Sequence, residues 1–192
     1  MAITTIDPKT ALVVIDLQNG ITAMPGDPVP TAEVIKNSIG LAEEFRARDL
    51  PVVLVNVTFA TDGSDVMPGR TDQSMSGHAF PEGWDQVIAD LDGHDGDVRV
   101  TKRNWSAFYG TNLDLHLRRR GVTQIVLTGI ATSIGVESTA RFAHEHGYHV
   151  TIATDAVTDS SADAHQNSVE RIFPRLAETG TTAEIVAALP TA

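Results

Sequence analysis

The sequence predicts a three-layer α/β fold: a doubly wound, mostly parallel sheet of about six strands with helices on both faces. Three observations carry this. Short apolar, β-branched runs recur, among them ALVVIDL at 11–17, PVVLVNVT at 51–58 and QIVLT at 124–128. Runs without polar alternation suit strands buried on both faces. Between them lie segments with apolar residues at helical spacing, and the resulting βαβ alternation implies right-handed crossovers and therefore parallel strands. The 192 residues are expected to form a single domain, 1–192, with no repeat, linker or low-complexity tract.

The first strand, 11–17, contains one acid, Asp16, near its C-terminal end. Gly20, Pro25, Gly26, Pro28 and Pro30 then predict a loop. Thr31 is expected to cap a helix to about Asp49, whose apolar face is Val34, Ile35, Leu41, Ala42 and Phe45. Pro51 opens the second strand. The stretch 59–83 is irregular, and a loop of that length in a compact domain is commonly a functional cover. A short helix is expected from Asp85 to Leu91. DGHDGD, at 92–97, is a turn; it lacks the full acid spacing and terminal glutamate of a calcium loop.

The third strand, 98–102, ends in Lys102. Thr111 and Asp114 make a capping-box-like start for the helix NLDLHLRRR. The arginines at 118–120 stand in its last turn, where cations complement the helix dipole. The fourth strand, 124–128, runs into the small-residue turn 129–135 and a helix ending at Gly147. A fifth strand, 149–153, a helix from about Ser161 to Ala177, a last strand near Gly180 and a short helix, 183–189, complete the chain.

Composition narrows the function. The formal net charge is −11, which argues against nucleic acid or an anionic membrane surface as partner, since both call for a basic face. No apolar run approaches the length of a membrane span, and the N-terminus does not read as a signal peptide, so a cytoplasmic protein is expected. There is no cysteine, which excludes disulfides, thiolate metal sites and a cysteine nucleophile. Neither G-x-G-x-x-G nor G-x-x-x-x-G-K occurs, and no cofactor is expected.

The turn after the fourth strand reads Gly129-Ile130-Ala131-Thr132-Ser133-Ile134-Gly135-Val136-Glu137-Ser138-Thr139-Ala140. It resembles the nucleophile turn of the isochorismatase-like hydrolases, also called cysteine hydrolases, at every fixed position but one: Gly135 stands where most members carry the nucleophilic cysteine. Two further stretches share the resemblance. Val13 to Gln18 is similar to the family's first-strand motif with its catalytic carboxylate, here Asp16. Lys102-Arg103-Asn104-Trp105-Ser106-Ala107-Phe108-Tyr109-Gly110-Thr111 is similar to its lysine motif. Thr154-Asp155-Ala156 matches a motif after the fifth strand, and the likeness covers roughly residues 9–189.

The resemblance implies a site of Asp16, Lys102 and the Gly135 turn at the strands' C-terminal ends, where doubly wound sheets bind ligands. It implies turn amides of Ala131 and Gly135 forming an oxyanion hole, and a cis peptide between Ile130 and Ala131. Gln18, Arg70, Trp105, Phe108, Ala131, Thr132 and Ser133 are the candidate substrate contacts. Arg70 suits a carboxylate, and no histidine is evidently placed to activate Thr132 or Ser133. The metal-binding branch of the superfamily uses an Asp-x-His…His set after the second strand; here Thr58 to Gly63 contains no histidine, so no metal is expected.

True isochorismatases resemble this chain in carrying glycine at the nucleophile position. Their reaction hydrolyses a vinyl ether to pyruvate and a dihydrodiol by acid protonation of the enol carbon. The Ala131-Thr132 half of the turn is instead amidase-like. The expected function is therefore general acid hydrolysis of a small vinyl-ether-type substrate. An amide hydrolase without cysteine and a non-catalytic relative are the alternatives. A homo-oligomer, dimer or tetramer, is expected from the resemblance and the apolar aromatic loop 105–109.

Overall fold

The computed structural model describes residues 3–67, 69–72 and 78–191. Pro68 and Gly77, which helped mark the 59–83 loop, lie outside the described residues. Six strands form one all-parallel sheet in the order β3-β2-β1-β4-β5-β6: β1 Thr10–Ile15, β2 Val52–Val57, β3 Val98–Lys102, β4 Gln124–Ile130, β5 His149–Thr158 and β6 Glu178–Gly180. Strands β1 and β4 are buried at every position, as continuous β-branched runs predict for a central parallel pair.

Two apolar layers seal the sheet. On one face Leu12, Val14 and Val126 pack with Val34, Leu41 and Phe45 of α2 (Thr31–Arg46) and Ile185 of α6 (Thr182–Ala188). On the other, Val13, Ile15, Ile125 and Leu127 pack with Leu113 and Leu117 of α3 (Leu113–Arg119), Ala140 and Ala143 of α4 (Glu137–Glu145), and Phe173. The strands therefore have few polar side chains until their C-terminal ends, where Asp16 and Lys102 stand.

Several elements differ from expectation. A short helix, α1, occupies Asn19–Thr22 within the predicted loop. Residues 85–91 form turns rather than a helix, because the Val87 backbone is drawn into an antiparallel bridge with Gln18 and Ile88 N–H donates to Leu17 O. The helix beginning at 162, α5, is α-helical only over Ala162–Asn167. It passes through a π-helical turn, Ser168–Ile172, to a 3-10 turn at Phe173–Arg175, where Pro174 lacks the N–H that a continuing helix needs. Strand β5 runs five residues past the expected end at 153. A bulge between Leu127 and Gly129 lets Val157 and Thr158 resume pairing with Gly129 and Ile130. The capping box expected at Thr111 does not form: Thr111 Oγ1 accepts from Leu113 N–H at 3.2 Å, and Asn112 stands at the N-cap of α3 without a side-chain cap. No described helix is long and apolar enough to cross a membrane.

Candidate active site

The order of strands turns back between β1 and β4, so the crevice lies beyond their C-terminal ends. Asp16 follows β1 directly. Its φ is 52°, in the left-handed region that short polar residues tolerate better than others. Its N–H still bonds Val55 O of β2, at 3.0 Å, so the residue remains fixed to the sheet while its side chain turns into the crevice.

Lys102 ends β3, two strands away, and parallel strands lie about 4.8 Å apart. The lysine stem and the aspartate side chain together cross the two intervals. Its Nζ donates to Asp16 Oδ2 at 2.7 Å, and both side chains are buried. Burial pushes the Asp16 carboxyl up to about 6, against the opposing pull of the Lys102 charge and its hydrogen bond. The second carboxylate oxygen, Oδ1, is buried with no partner among the described residues.

The third component is the turn after β4. The Ile130–Ala131 peptide is cis. A π-helical turn, Thr132–Val136, follows, with Ala131 O accepting from Ile134 N–H at 3.2 Å and Val136 N–H at 3.1 Å. A Cβ built on Gly135 would lie 3.4 Å from Asp16 Oδ2 and 2.9 Å from Ile15 Cγ2. Gly135 thus stands against the carboxylate, and a side chain there would point at it. Thr139 joins turn and lysine loop: its hydroxyl donates to Gly135 O at 2.7 Å and accepts from Ala107 N–H at 3.0 Å.

Asp16, Lys102 and Gly135 are therefore brought together, with Ala131, Thr132 and Ser133 on the same turn. The other predicted contacts are dispersed. Gln18 is buried, and both ends of its amide bind backbone: Nε2 donates to Val57 O (3.0 Å) and Trp84 O (3.3 Å), and Oε1 accepts from Val57 N–H (2.8 Å). These bonds tie the turn at Trp84 to the end of β2. Phe108 is a core residue stacked on His146 at 5.3 Å and near Tyr148. Arg70 and Trp105 are exposed, Trp105 at 56%. Phe59 and Phe80 of the 59–83 segment pack with the adjoining Trp84, Phe80 and Trp84 stacked at 4.5 Å and Phe59 beside both.

Two side chains without any motif also reach the turn. Asp159, after β5, accepts from Ser133 N–H at 2.7 Å through Oδ2. His165 of α5 places Nδ1 2.9 Å from Thr132 Oγ1. The expectation that no histidine stands beside these hydroxyls is thereby corrected. Thr132 is completely buried, and burial holds the His165 imidazole below its usual range, against the opposing charges of Asp159 and Asp27. Among the described residues no cluster of three or more histidine, aspartate or glutamate side chains is arranged to hold a metal ion.

Compared with known proteins, the chain matches the family model described as the isochorismatase domain over residues 10–184. The chain belongs to the isochorismatase family. Relatives extend over nearly its whole length. The uncharacterized isochorismatase family protein YecD of Escherichia coli O157:H7 is 47% identical over 180 residues, 94% of this chain and 96% of that protein. A solved isochorismatase family protein from Burkholderia thailandensis superposes with a TM-score of 0.92 at 46% identity, covering 97% of this chain and 98% of the other. The ureidoacrylate amidohydrolase RutB of Pseudomonas savastanoi pv. phaseolicola is 30% identical, over 83% of this chain and 75% of its own length. Family members are hydrolases, amidohydrolases among them, and this chain is an isochorismatase-family hydrolase.

Proposed function

We propose that the protein hydrolyses a small anionic vinyl ether of the isochorismate type by general acid catalysis, with Asp16 as the acid. One observation carries this reading. The Asp16 carboxyl is pushed up to about 6 by burial while its Oδ1 has no partner among the described residues, so a fraction of the acid is protonated near neutral pH and can donate. Burial outweighs the opposing pull of Lys102 in the direction of the shift, and the protonated fraction grows as pH falls toward 6.

In the proposed reaction Asp16 donates its proton to the terminal enol carbon, and the ether carbon becomes an oxocarbenium ion. Water adds to that carbon and returns one proton to the carboxylate. The hemiketal then loses the alcohol, giving pyruvate and HO–R, so one water is consumed and the acid is regenerated. Lys102 stabilises the carboxylate in the interval after the proton has left. The amides of Ala131 and Gly135 are assigned the substrate's anionic end. The absent side chain at Gly135 provides room for substrate or water against Asp16. The test incubates the protein with isochorismate and couples pyruvate release to lactate dehydrogenase, with Asp16→Asn as control. Release independent of Asp16, or none, overturns the reading.

A second reading, amide hydrolysis, is favoured by the similarity to RutB and by the Thr132–His165 contact, which places an imidazole beside a turn hydroxyl. The complete burial of Thr132 favours the first. Turnover of small amides that survives Asp16→Asn and disappears with Thr132→Val would select the second. We further propose a homo-oligomer, with Trp105 and Tyr109 (56% and 59% exposed) at the contact. A monomer by light scattering would reject it.

A further inference from the structure

We infer that Asp159 and His165 are positioning residues: a brace from the β5–α5 connection that fixes the turn facing Asp16. The catalytic part of this inference rests on the function proposed above; the structural part does not.

The turn has two points of attachment on this side. Asp159 is 3% exposed, and each of its carboxylate oxygens accepts a backbone N–H: Oδ2 from Ser133 at 2.7 Å, Oδ1 from Ser160 at 2.8 Å. One carboxylate thus joins the start of the π-helical turn to the start of the segment leading to α5. His165, also buried, holds the hydroxyl of the preceding residue, Thr132. The two adjacent residues Thr132 and Ser133 are therefore clamped by different atoms from one neighbouring segment.

That segment is itself anchored. The Asp159 backbone forms an antiparallel bridge with Asp27, with Asp27 N–H donating to Asp159 O at 2.8 Å and Asp159 N–H to Asp27 O at 3.3 Å. The Ser161 hydroxyl caps α5 by accepting from Ala164 N–H, which sets the helix that carries His165. A buried, doubly engaged carboxylate is a stiff support, since charge-assisted hydrogen bonds are roughly twice as strong as neutral ones. Its output is the direction of the amides between Ala131 and Gly135.

Asp159→Asn is nearly isosteric and offers an N–H₂ where one backbone N–H must be accepted. His165→Leu removes the contact to Thr132, and His165→Asn keeps a polar atom at the δ position. With isochorismate as probe, Asp159→Asn and His165→Leu should raise KM about tenfold or more with kcat within about threefold, because groups that bind the anionic end act on ground state and transition state alike. His165→Asn should restore most of the loss. A merely structural fault would lower kcat through the active fraction and leave KM alone, and that result overturns the inference.

Hydrogen exchange of the wild type and the same variants decides the case without any substrate. The 131–136 segment should exchange about tenfold faster in Asp159→Asn and His165→Leu. Segments in β1 and β2 should be unchanged, and His165→Asn should be close to wild type. Equal protection of 131–136 in all four proteins overturns the brace. A wild type that is inert toward isochorismate rejects only the proposed substrate. If Asp159→Asn does not fold, the two His165 variants carry both comparisons.

Discussion

Lys102 Nζ is bonded to one oxygen of Asp16, at 2.7 Å, and the other oxygen is buried with no partner among the described residues. Lysine approaches from the β3 side across the end of β2, and the Gly135 turn, from β4, meets the same oxygen, Oδ2, 3.4 Å from where a Cβ would stand. Oδ2 thus faces both the cation and the turn, and Oδ1 is the oxygen without a fixed partner among the described residues.

Replacing the acid tests its role directly. Asp16→Asn keeps the shape and removes the proton. Pyruvate release from isochorismate should fall on the order of a hundred- to ten-thousandfold, the usual contribution of a positioned general acid. Retention of more than about a tenth of the wild-type rate would remove Asp16 from the mechanism.

The raised Asp16 pKa sets the pH dependence of activity. The working form is the protonated one, so the rate should be high below about 6 and decline as pH rises through that value. Lys102→Met removes a group that lowers the pKa, and the decline should move upward by at least about one pH unit. A pH–rate profile unmoved by Lys102→Met would show that the limb belongs to another group.

The same shift has a sign for stability. The ordinary carboxyl value is 3.8 and the buried value about 6, so between them the folded protein binds more protons than the unfolded chain. This group's contribution is full below 3.8 and is lost as pH rises through about 6; the loss at neutral pH is on the order of 3 kcal/mol. An asparagine side chain does not titrate, so wild type should lose thermal stability relative to Asp16→Asn as pH is raised over that range. Parallel melting curves at all pH values would contradict it.

Gly135→Cys places a thiol against Asp16. The new Cβ would meet Ile15 Cγ2 at 2.9 Å, so the variant should be destabilised by roughly 1–3 kcal/mol. It should lose vinyl-ether cleavage by filling the space before the acid, and react with iodoacetamide more rapidly than a free thiol at neutral pH. An ordinary alkylation rate would mean that the turn does not activate a nucleophile at this position.

Gly129→Ala should not yield folded protein. Gly129 has φ 116° and lies against the Ile15 backbone, where any Cβ would overlap the carbonyl. The clash lies in the central β1–β4 pair, so expression in soluble form with a native melting transition would contradict the register.

The sheet was legible because its strands are dense β-branched runs bounded by glycine, proline and charged residues, and hydrophobic burial alone places them at the centre. Asp16, Lys102 and Gly135 were legible through strand ends and motif likeness. What was missed depends on contacts between distant residues. The Leu127/Gly129 bulge, which extends β5, changes no local pattern. The 85–91 stretch has helical composition, but backbone bonds to Gln18 and its neighbours take it into turns. His165 lies 33 residues from Thr132, on a helix face where histidine has no particular meaning until the fold brings α5 to the turn. Phe108 packs in the core, and sequence pattern does not separate that from a pocket position because aromatic residues fill both.

The left-handed backbone at Asp16 affects what mutagenesis of this position can measure. Aspartate and asparagine adopt that conformation more readily than alanine or glutamate, so position 16 selects its occupant by main-chain geometry before any chemistry takes place. An Asp16→Ala rate therefore combines a missing proton with added backbone strain of about 1–2 kcal/mol, and an Asp16→Glu variant combines a longer reach with the same strain. Asparagine isolates the proton. The main chain thus narrows the choice of informative variants at this position to those that tolerate a left-handed φ.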